Sequence, residues 1–457
     1  MSTVISAPAA AQATLAPQGD AEAVYGKITR RLIPFLFICY LLNFIDRANI
    51  GFAQLQMKTS LGFSDAVYGL GAAMFFVGYV LFEVPSNMLL QRIGARLTIM
   101  RIMLLWGLAS SATLLVTTPT QFYVVRFLLG VFEAGFFPGI VLYLTFWYPP
   151  QRRARVLAFF CMAQVAAAFI TSPVSGWILK NLHGAHGWEG WQWMFFIEGM
   201  PTVLLGLLVL WLLPNGPQDA KWLTPDEREL VRQGVQGTTG ADVDGGGGGG
   251  GGGHGKGALA AALRDPRVYL LAFGAFVSGC AGYFLAFWTP TIIRELGVAD
   301  LQLVGLYAVI PNVFALFAMF WYGRRSDRRD EQRLHWAWAF VVAAAGFLLL
   351  AWAIGNGSLA WTLVAISTGG SALVAATPVF WAMVTRYLAR ERAAVGIALV
   401  NTLASVAGIS PAVVGAIKTR TGSLDDAIYL LCALFVVAAL AMALGMRKAL
   451  ATPQQPA

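Results

Sequence analysis

The chain has 457 residues, of which 58% are hydrophobic and 12% charged, and its mean hydropathy is +0.65. This apolar surplus excludes an ordinary soluble globular protein. An enzyme with a single membrane anchor is also excluded, because apolar runs recur along the whole chain. The formal net charge of +9 would suit a nucleic-acid-binding protein, but the positions of the basic residues exclude that class as well.

The apolar runs predict an all-α membrane protein with twelve transmembrane helices. Runs of roughly 18 to 25 residues are long enough to cross about 30 Å of hydrocarbon. Each run must be helical, because alternating strand patterns are absent and lipid offers the backbone no hydrogen-bond partners. The predicted spans are 31–54, 67–90, 98–117, 120–147, 154–180, 191–213, 268–293, 300–322, 334–354, 359–383, 393–417 and 426–446.

The longest polar segment divides these spans into six plus six and predicts two six-helix bundles related by a pseudo-two-fold axis. This segment contains nine consecutive glycines, Gly245 to Gly253, which are typical of a flexible linker. The predicted organisation is a cytoplasmic tail over 1–30, bundles over 31–213 and 268–446, a cytoplasmic linker over 214–267 and a second cytoplasmic tail over 447–457.

The basic residues predict the orientation. If the N-terminus is cytoplasmic, twenty-five of the thirty-two Lys and Arg residues lie on that side and only five face outward. This is the positive-inside distribution, and it indicates a bacterial inner-membrane protein with both termini in the cytoplasm. The two basic residues that remain, Arg47 and Arg126, lie inside predicted spans. The four cysteines each lie alone in a different span, so neither a disulfide nor a metal site is predicted.

Charged side chains inside the membrane are candidates for function, because each costs roughly 3 kcal/mol or more at the bilayer centre. Arg126 and Glu133 are seven residues apart, so they share a helix face but lie about 10 Å apart, too far for a direct bond. Asp46 and Arg47 are consecutive and point about 100° apart, so different partners are expected. The alternative for these four residues is a set of structural ion pairs.

Two further carboxyl groups, Glu83 and Glu198, are predicted to be structural. Each lies beside a proline, in Glu83-Val84-Pro85 and in Glu198-Gly199-Met200-Pro201. A proline leaves backbone groups unpaired within a helix, and a nearby carboxyl group can satisfy them.

Paired arginines and paired carboxyl groups predict proton-coupled uptake of a small organic acid anion. Guanidinium groups can clamp a carboxylate, while carboxyl groups can bind and release protons. Asp46 and Glu133 are therefore the candidate proton-coupling residues, and Arg47 and Arg126 the candidate anion ligands. Gln164 lies at a similar depth in its span. No enzyme motif, metal site or cofactor is predicted; the proton is the coupling ion.

The second half contributes polar and aromatic groups instead of buried charges. Asn401 is the candidate for a hydrogen bond to the substrate, and Trp381 and Tyr283 are candidate cavity walls because both lie several residues inside their spans.

The loop after the second span of each half carries a related motif, which predicts a cytoplasmic gate. Glycine permits close approach to a neighbouring helix end, and Asp and Arg can form an ion-pair latch; the alternative is ordinary positive-inside charge. The candidate gate residues are Arg92, Gly94 and Arg96 in the first half and Gly323, Asp327 and Arg328 in the second.

These loops resemble the signature of the major facilitator superfamily, Gly-x-x-x-Asp-Arg-x-Gly-Arg-Arg, although Asn87 and Gln91 replace its Gly and Asp in the first half. Within that superfamily the chain is similar to the anion:cation symporter family. Four stretches carry the similarity: Leu42 to Gly51 (LNFIDRANIG), Gly78 to Asn87 (GYVLFEVPSN), Arg126 to Gly139 (RFLLGVFEAGFFPG) and Trp191 to Gly199 (WQWMFFIEG).

The resemblance implies a monomer in the lipid bilayer that imports an organic anion such as tartrate, galactonate and other sugar acids, phthalate or hydroxyphenylacetate. It also implies that Asp46 and Glu133 are protonated, that Arg47 and Arg126 contact the anion, and that Tyr79, Gln164 and Asn401 line the cavity. Phe44 replaces a tyrosine seen in some sugar-acid carriers, which argues against a polyhydroxylated substrate.

Two other functions are compatible with the pattern. A proton-antiport exporter of a drug or amphipathic metabolite would suit an aromatic cavity, but two buried arginines argue against a cationic drug. A receptor that binds an organic acid without transporting it would need an output domain, and the sequence contains no sizeable soluble domain.

Overall fold

The computed structural model describes residues 18–236, 263–329, 332–387 and 393–445, and these residues form helices and short connections. Short 3₁₀ turns lie at Thr113–Leu115, Ala185–Gly187, Pro217–Asp219 and Val406–Ile409, and a π-turn lies at Ala441–Gly445. The helices are α1 Gln18–Ala48, α2 Ile50–Ser60, α3 Asp65–Ile93, α4 Ala95–Ala112, α5 Pro119–Glu133, α6 Phe136–Thr145, α7 Pro150–Asn181, α8 Gly190–Leu212, α9 Pro225–Gln236, α10 Pro266–Glu295, α11 Leu301–Arg329, α12 Gln332–Gly355, α13 Leu359–Tyr387, α14 Ala393–Ser405, α15 Ser410–Thr421 and α16 Asp425–Leu440.

Twelve helical stretches of the described chain are long and apolar enough to cross a membrane, as the sequence predicts. We call them spans 1 to 12 in chain order: Ala21–Ser60, Asp65–Leu90, Ala95–Leu115, Pro119–Thr145, Pro150–Asn181, Gly190–Leu212, Pro266–Glu295, Leu301–Tyr322, Gln332–Gly355, Leu359–Val384, Leu399–Thr421 and Asp425–Gly445.

Two segments predicted to lie outside the membrane contain helix. Helix α1 begins at Gln18, inside the segment predicted to be a tail, because charged residues such as Lys27 and Arg30 end an apolar run but do not end a helix. The predicted linker contains helix α9, whose Glu227 accepts hydrogen bonds from Lys27 Nζ at 2.8 and 3.0 Å. The nine glycines lie outside the described residues.

Side-chain contacts show which helix ends share a face of the bundle. We call the face at which span 1 begins the proximal face; it is held together by Lys27 with Glu227, Thr29 with Tyr148, and Tyr143 with the carbonyl of Pro214. The opposite, distal face is held by Gln56 with the carbonyl of Leu179 and by Trp191 with Ser60. The spans therefore alternate in direction, and the described ends of the loops predicted to be cytoplasmic lie on the proximal face.

The two halves approach most closely towards the distal face, at glycines. A Cβ atom added to Gly69 would lie 2.2 Å from the carbonyl oxygen of Pro411 and 3.1 Å from the Cα of Gly415. A Cβ atom on Gly176 would likewise lie 3.1 Å from the Cα of Gly305. Spans 2 and 11, and spans 5 and 8, therefore cross with their backbones in contact, which only glycine permits.

The polar contacts between the two halves also lie at the distal end or at mid-depth. Lys180 Nζ is 2.5 Å from Asp300 Oδ2, and Asn312 Nδ2 donates to the carbonyl of Ala168 at 3.3 Å near the middle of spans 8 and 5. Among the described residues, no hydrogen bond or ion pair joins the halves on the proximal side of Asn312. This conformation is closed at the distal face.

In the first predicted gate motif, the hydrogen bond that the structure describes lies within the first half. Gly94 separates α3 from α4 with φ +86, and the N–H of Arg96 donates to Asn215 Oδ1 at 3.2 Å, at the end of span 6. Arg92 is exposed. In the second half, Gly323, Asp327 and Arg328 lie on helix α11, and their side chains fall outside the described part of the structure.

Candidate functional site

Asp46 is buried inside the first half and accepts hydrogen bonds from neutral donors. Its side chain is 1% exposed. Trp106 Nε1 and Ser110 Oγ on span 3 each donate to it at 2.7 Å, and Thr202 Oγ on span 6 lies 3.5 Å away. A carboxyl group held by neutral donors alone can exist with or without a proton, whereas a salt bridge would hold it ionised.

A break in span 4 places Glu133 at the end of a half-helix. Helix α5 ends at Glu133, and the chain then leaves helical geometry at Ala134 (ψ 132) and Gly135 (φ +86) before α6 begins at Phe136. Gly135 supplies the positive φ, and Pro138 has no N–H to continue the helical ladder. The break puts the Glu133 carboxyl at the negative end of a half-helix, where an ionised carboxylate is disfavoured.

Arg47 and Glu133 form a salt bridge across spans 1 and 4. Arg47 Nε donates to Glu133 Oε1 at 2.5 Å. The Glu133 side chain is fully buried, while Arg47 keeps 28% of its side chain exposed. Among the described residues, Glu133 Oε2 has no hydrogen-bond partner. Oε1 of Glu133 therefore pairs with Arg47, while Oε2 is available to take up a proton.

Aromatic rings surround the guanidinium group of Arg47. Its Cζ lies 5.0 Å from the ring centroid of Tyr79, 5.3 Å from that of Phe75 and 5.8 Å from that of Phe44. Rings within about 6 Å attract a cation through their quadrupole. The rings hold Arg47 in place without using its hydrogen-bond donors, so those donors remain available to a second acceptor.

Arg126 is a buried cation without an acceptor. Its side chain is 1% exposed, and within the described part of the chain Nε, Nη1 and Nη2 all lack a hydrogen-bond partner. Its Cζ lies 5.3 Å from the centroid of Phe75, the ring that Arg47 also contacts. A buried charge without a hydrogen-bonded counter-charge is costly, so the position is suited to an anionic ligand.

A cavity of about 310 Å³ lies between the halves. It begins beside Ala48, the neighbour of Arg47 in the chain, and none of its lining residues is charged. Its polar lining residues are Thr171, Ser172, Ser278, Thr289, Asn312 and Thr377. Both halves thus supply neutral hydrogen-bonding groups to this cavity, and the charged residues lie beside it in the first half.

The structure brings some predicted residues to the charged site and leaves others apart. Tyr79 packs near Arg47, and Tyr283 reaches the site from the second half, where its ring lies 4.5 Å from that of Phe76. Asn401 and Trp381 line a separate cavity of about 200 Å³, which shares Ser278 and Thr377 with the larger one. Gln164 is exposed on span 5.

Sequence reasoning missed the residues that organise the site. Phe75 lies between the two arginines, and Trp106 and Ser110 hold Asp46. Phe75 and Trp106 are apolar in a hydropathy scan, so nothing marks them before the helices are packed. The described residues contain no group of three or more His, Cys, Asp or Glu side chains that could hold a metal ion.

The chain matches a known protein family. The sequence profile of the Major Facilitator Superfamily matches residues 36–412. A protein of Agrobacterium vitis named "Putative tartrate transporter" is 42% identical over 92% of this chain and 91% of its own length. The quinolone resistance transporter of Acinetobacter baumannii is 37% identical over 88% of this chain and 90% of its own.

A solved structure shares the fold. The bacterial homologue of the human lysosomal transporter Spinster, in an inward-facing and occupied conformation, superposes with a TM-score of 0.69. The match covers 92% of this chain and 94% of the other at 17% sequence identity, so it supports the fold and not the substrate.

Proposed function

The chain belongs to the Major Facilitator Superfamily and is a multi-pass membrane transporter, not an enzyme, and from this premise we propose that it imports a small organic acid anion together with protons. The observation that carries the proposal is Arg126, a buried guanidinium without an acceptor, next to Arg47, whose charge Glu133 balances. With Asp46 protonated, the described residues of the site carry one net positive charge.

Proton coupling follows from competition for Arg47. While Glu133 is ionised, it occupies the Nε of Arg47 at 2.5 Å. When Oε2 of Glu133 takes up a proton, the carboxyl group becomes neutral and its attraction for Arg47 falls. The substrate carboxylate then takes the place of Glu133 on Arg47 and approaches Arg126. Binding of the anion and binding of a proton therefore favour each other.

Asp46 provides a second proton site in the same half. It lies one residue before Arg47 but faces Trp106 and Ser110, so its proton is held away from the substrate. With Asp46 and Glu133 protonated and the anion bound, the two halves rock about the central cavity and release the anion and the protons on the other side.

The proposed setting is the inner membrane, with the protein monomeric and both termini cytoplasmic. The proximal face is then cytoplasmic, because it carries the basic loops. The distal closure at Gly69 with Gly415 and at Gly176 with Gly305 then lies on the periplasmic side. The proposed substrates are tartrate-like dicarboxylates, sugar acids and aromatic acids, and the name of the Agrobacterium vitis relative supports the first of these.

The test uses purified protein in proteoliposomes with a panel of tartrate, galactonate, glucarate, phthalate and hydroxyphenylacetate. An acid that binds the folded state raises its thermal stability, which selects the substrate. We expect an imposed proton gradient to drive uphill uptake of that acid and Asp46→Asn to abolish the uptake. Uptake in Asp46→Asn equal to that of the wild type would refute the coupling role. Counterflow of labelled acid excludes a receptor, because a receptor gives none.

Export of a drug is the second candidate function. The name of the Acinetobacter baumannii relative favours it, as do the rings of Phe44, Phe75 and Tyr79 around Arg47. The buried Arg126 argues that an exported compound would be anionic. Quinolone-driven proton release from inverted vesicles, without uptake of any acid in the panel, would favour export.

A further inference from the structure

Glu198 on span 6 is a buried carboxyl group that the proposed mechanism does not use. It is 4% exposed. Ser175 Oγ on span 5 donates to its Oε1 at 2.7 Å, while among the described residues its Oε2 has no hydrogen-bond partner. No salt bridge to Glu198 is found in the described chain. A carboxylate buried without a cation is costly, so the group is stable here only with a proton or with a charge shared with a neighbour.

Spans 1 and 6 place Glu198 and Asp46 about one helical turn apart. On span 1, Asn49 follows Asp46 by three residues and lies next to Glu198. On span 6, Glu198 precedes Thr202 by four residues, and Thr202 contacts Asp46. Residues three or four apart share a helix face, so the two carboxyl groups occupy successive levels of one buried polar column.

Unpaired polar atoms fill the space between these levels. Both polar atoms of the Asn49 amide, Oγ of Ser111 and Oε2 of Glu198 are buried without partners among the described residues. Ser111 Oγ lies against Gly199, where an added Cβ atom would be 2.6 Å from it. Ser111 is also the neighbour of Ser110, which holds Asp46. Buried polar atoms are normally hydrogen-bonded to protein or to water, so this column is suited to internal water that links the carboxyl groups.

We propose that Glu198 is a third proton-binding carboxyl of the first half, coupled to Asp46 so that the pair, and not Asp46 alone, carries the proton. In the transfer step, a proton leaves Oε2 of Glu198 and joins a carboxylate oxygen of Asp46. Glu198 becomes the carboxylate, with Ser175 and Asn49 as donors, and Asp46 becomes neutral. The charge of the pair is unchanged, and one proton has moved one helical turn.

The two carboxyl groups titrate as a coupled pair, because each lies within electrostatic reach of the other. Asp46 also lies within reach of Arg126 and Glu133 on span 4. The elements packed against Glu198 present Asp46 and Asn49 from span 1, Ser111 from span 3 and Ser175 from span 5. Asp46 is the titratable group among them. A negative charge on either carboxyl group therefore favours the proton on the other, and substitution of one must change proton binding by the other.

Infrared difference spectroscopy during a pH titration of the reconstituted protein tests this coupling without any substrate. The wild type should show carbonyl stretches of the buried protonated carboxyl groups of Asp46 and Glu198, beside that of Glu133, which Glu133→Gln identifies. Glu198→Gln should remove one band and move the titration of the Asp46 band to lower pH by about one unit or more, because the neighbouring negative charge is lost. Ser175→Ala keeps both carboxyl groups and should shift the Glu198 band without removing it.

A structural role for Glu198 predicts a different outcome. The proposal is overturned if Glu198→Gln lowers thermal stability but leaves the Asp46 band and its titration unchanged. The inference extends the proposed proton-coupled function, and the two can fail separately. Absence of proton-driven uptake in the wild type refutes the function, while the infrared titration still decides the pair. Where uptake is measurable, its pH profile in Glu198→Gln should shift in the same direction as the Asp46 band.

Discussion

The guanidinium groups of Arg47 and Arg126 contact the same phenyl ring: each Cζ lies 5.3 Å from the centroid of Phe75. Two like charges so close to one ring repel each other, and Glu133 balances only Arg47. In the proposed mechanism, a substrate carboxylate supplies the second negative charge. The arrangement therefore couples the charge state of Glu133 to occupancy of the anion site.

Replacing Arg126 should weaken anion binding more than it weakens the fold. Loss of one partner of a buried, hydrogen-bonded charge pair costs about 2 to 5 kcal/mol, so Arg126→Ala should lower affinity at least about tenfold. Arg126→Lys keeps the charge but loses the planar fork of the guanidinium group, so its affinity should lie between those of the wild type and Arg126→Ala. Calorimetric titration with the stabilising acid measures both variants. An unchanged dissociation constant in Arg126→Ala would remove Arg126 from the site.

Replacing Glu133 should separate anion binding from pH. In the wild type, affinity should fall as pH rises, because ionised Glu133 competes with the substrate for Arg47. Glu133→Gln is neutral at every pH, so its affinity should be high and nearly constant, while uptake driven by a proton gradient should be lost. Thermal-shift titrations at acidic and alkaline pH measure the effect. Equal pH dependence in the variant and the wild type would contradict the competition.

Larger side chains at the glycine crossings should open the distal face. A Cβ atom on Gly415 would lie 2.3 Å from the carbonyl oxygen of Asp65, so Gly415→Leu forces spans 2 and 11 apart. We expect the variant to lose transport and to populate the distally open state, measured by spin-label distances between the distal ends of those spans. Gly26→Leu is the matched control, because nothing lies within 4 Å of that position. Distances like those of the wild type in Gly415→Leu would show that the crossing is not the closing contact.

The salt bridge between Lys180 and Asp300 should make distal closure sensitive to strong acid and to salt. The hydrogen bond from Lys180 holds the pKa of Asp300 below its usual value. The bridge is therefore intact above the usual aspartate pKa of about 3.9 and is lost as pH falls through the lowered value. Asp300→Asn should open the distal face slightly at neutral pH, and Lys180→Arg should not.

The same spin-label distances, recorded against pH and ionic strength, measure the contribution of this bridge. Both groups are partly exposed, so the effect should be small and should fade as salt screens the pair. A change in distal closure near neutral pH that persists in Asp300→Asn would have to come from another group.

The sequence alone was sufficient to predict the class of protein and to identify the charged residues inside the spans, because both depend on local chemistry. Apolar runs long enough to cross a bilayer predicted twelve spans, and twelve are found in the described chain. Asp46, Arg47, Arg126 and Glu133 stood out because charge inside lipid is costly wherever the helix lies. The consecutive positions of Asp46 and Arg47 also implied different partners, since a helix turns about 100° per residue.

Only the tertiary structure decided which of these groups meet. Glu133 pairs with Arg47, 86 residues away in the chain. Arg126, which lies on the same helix as Glu133, has no acceptor among the described residues. Phe75 became a functional candidate only when two guanidinium groups were found beside its ring. Glu198, expected from its neighbouring proline to be structural, proved to lie one turn from Asp46 in a shared polar column. Such relationships depend on how helices pack, and hydropathy carries no information about which face of one helix meets which face of another.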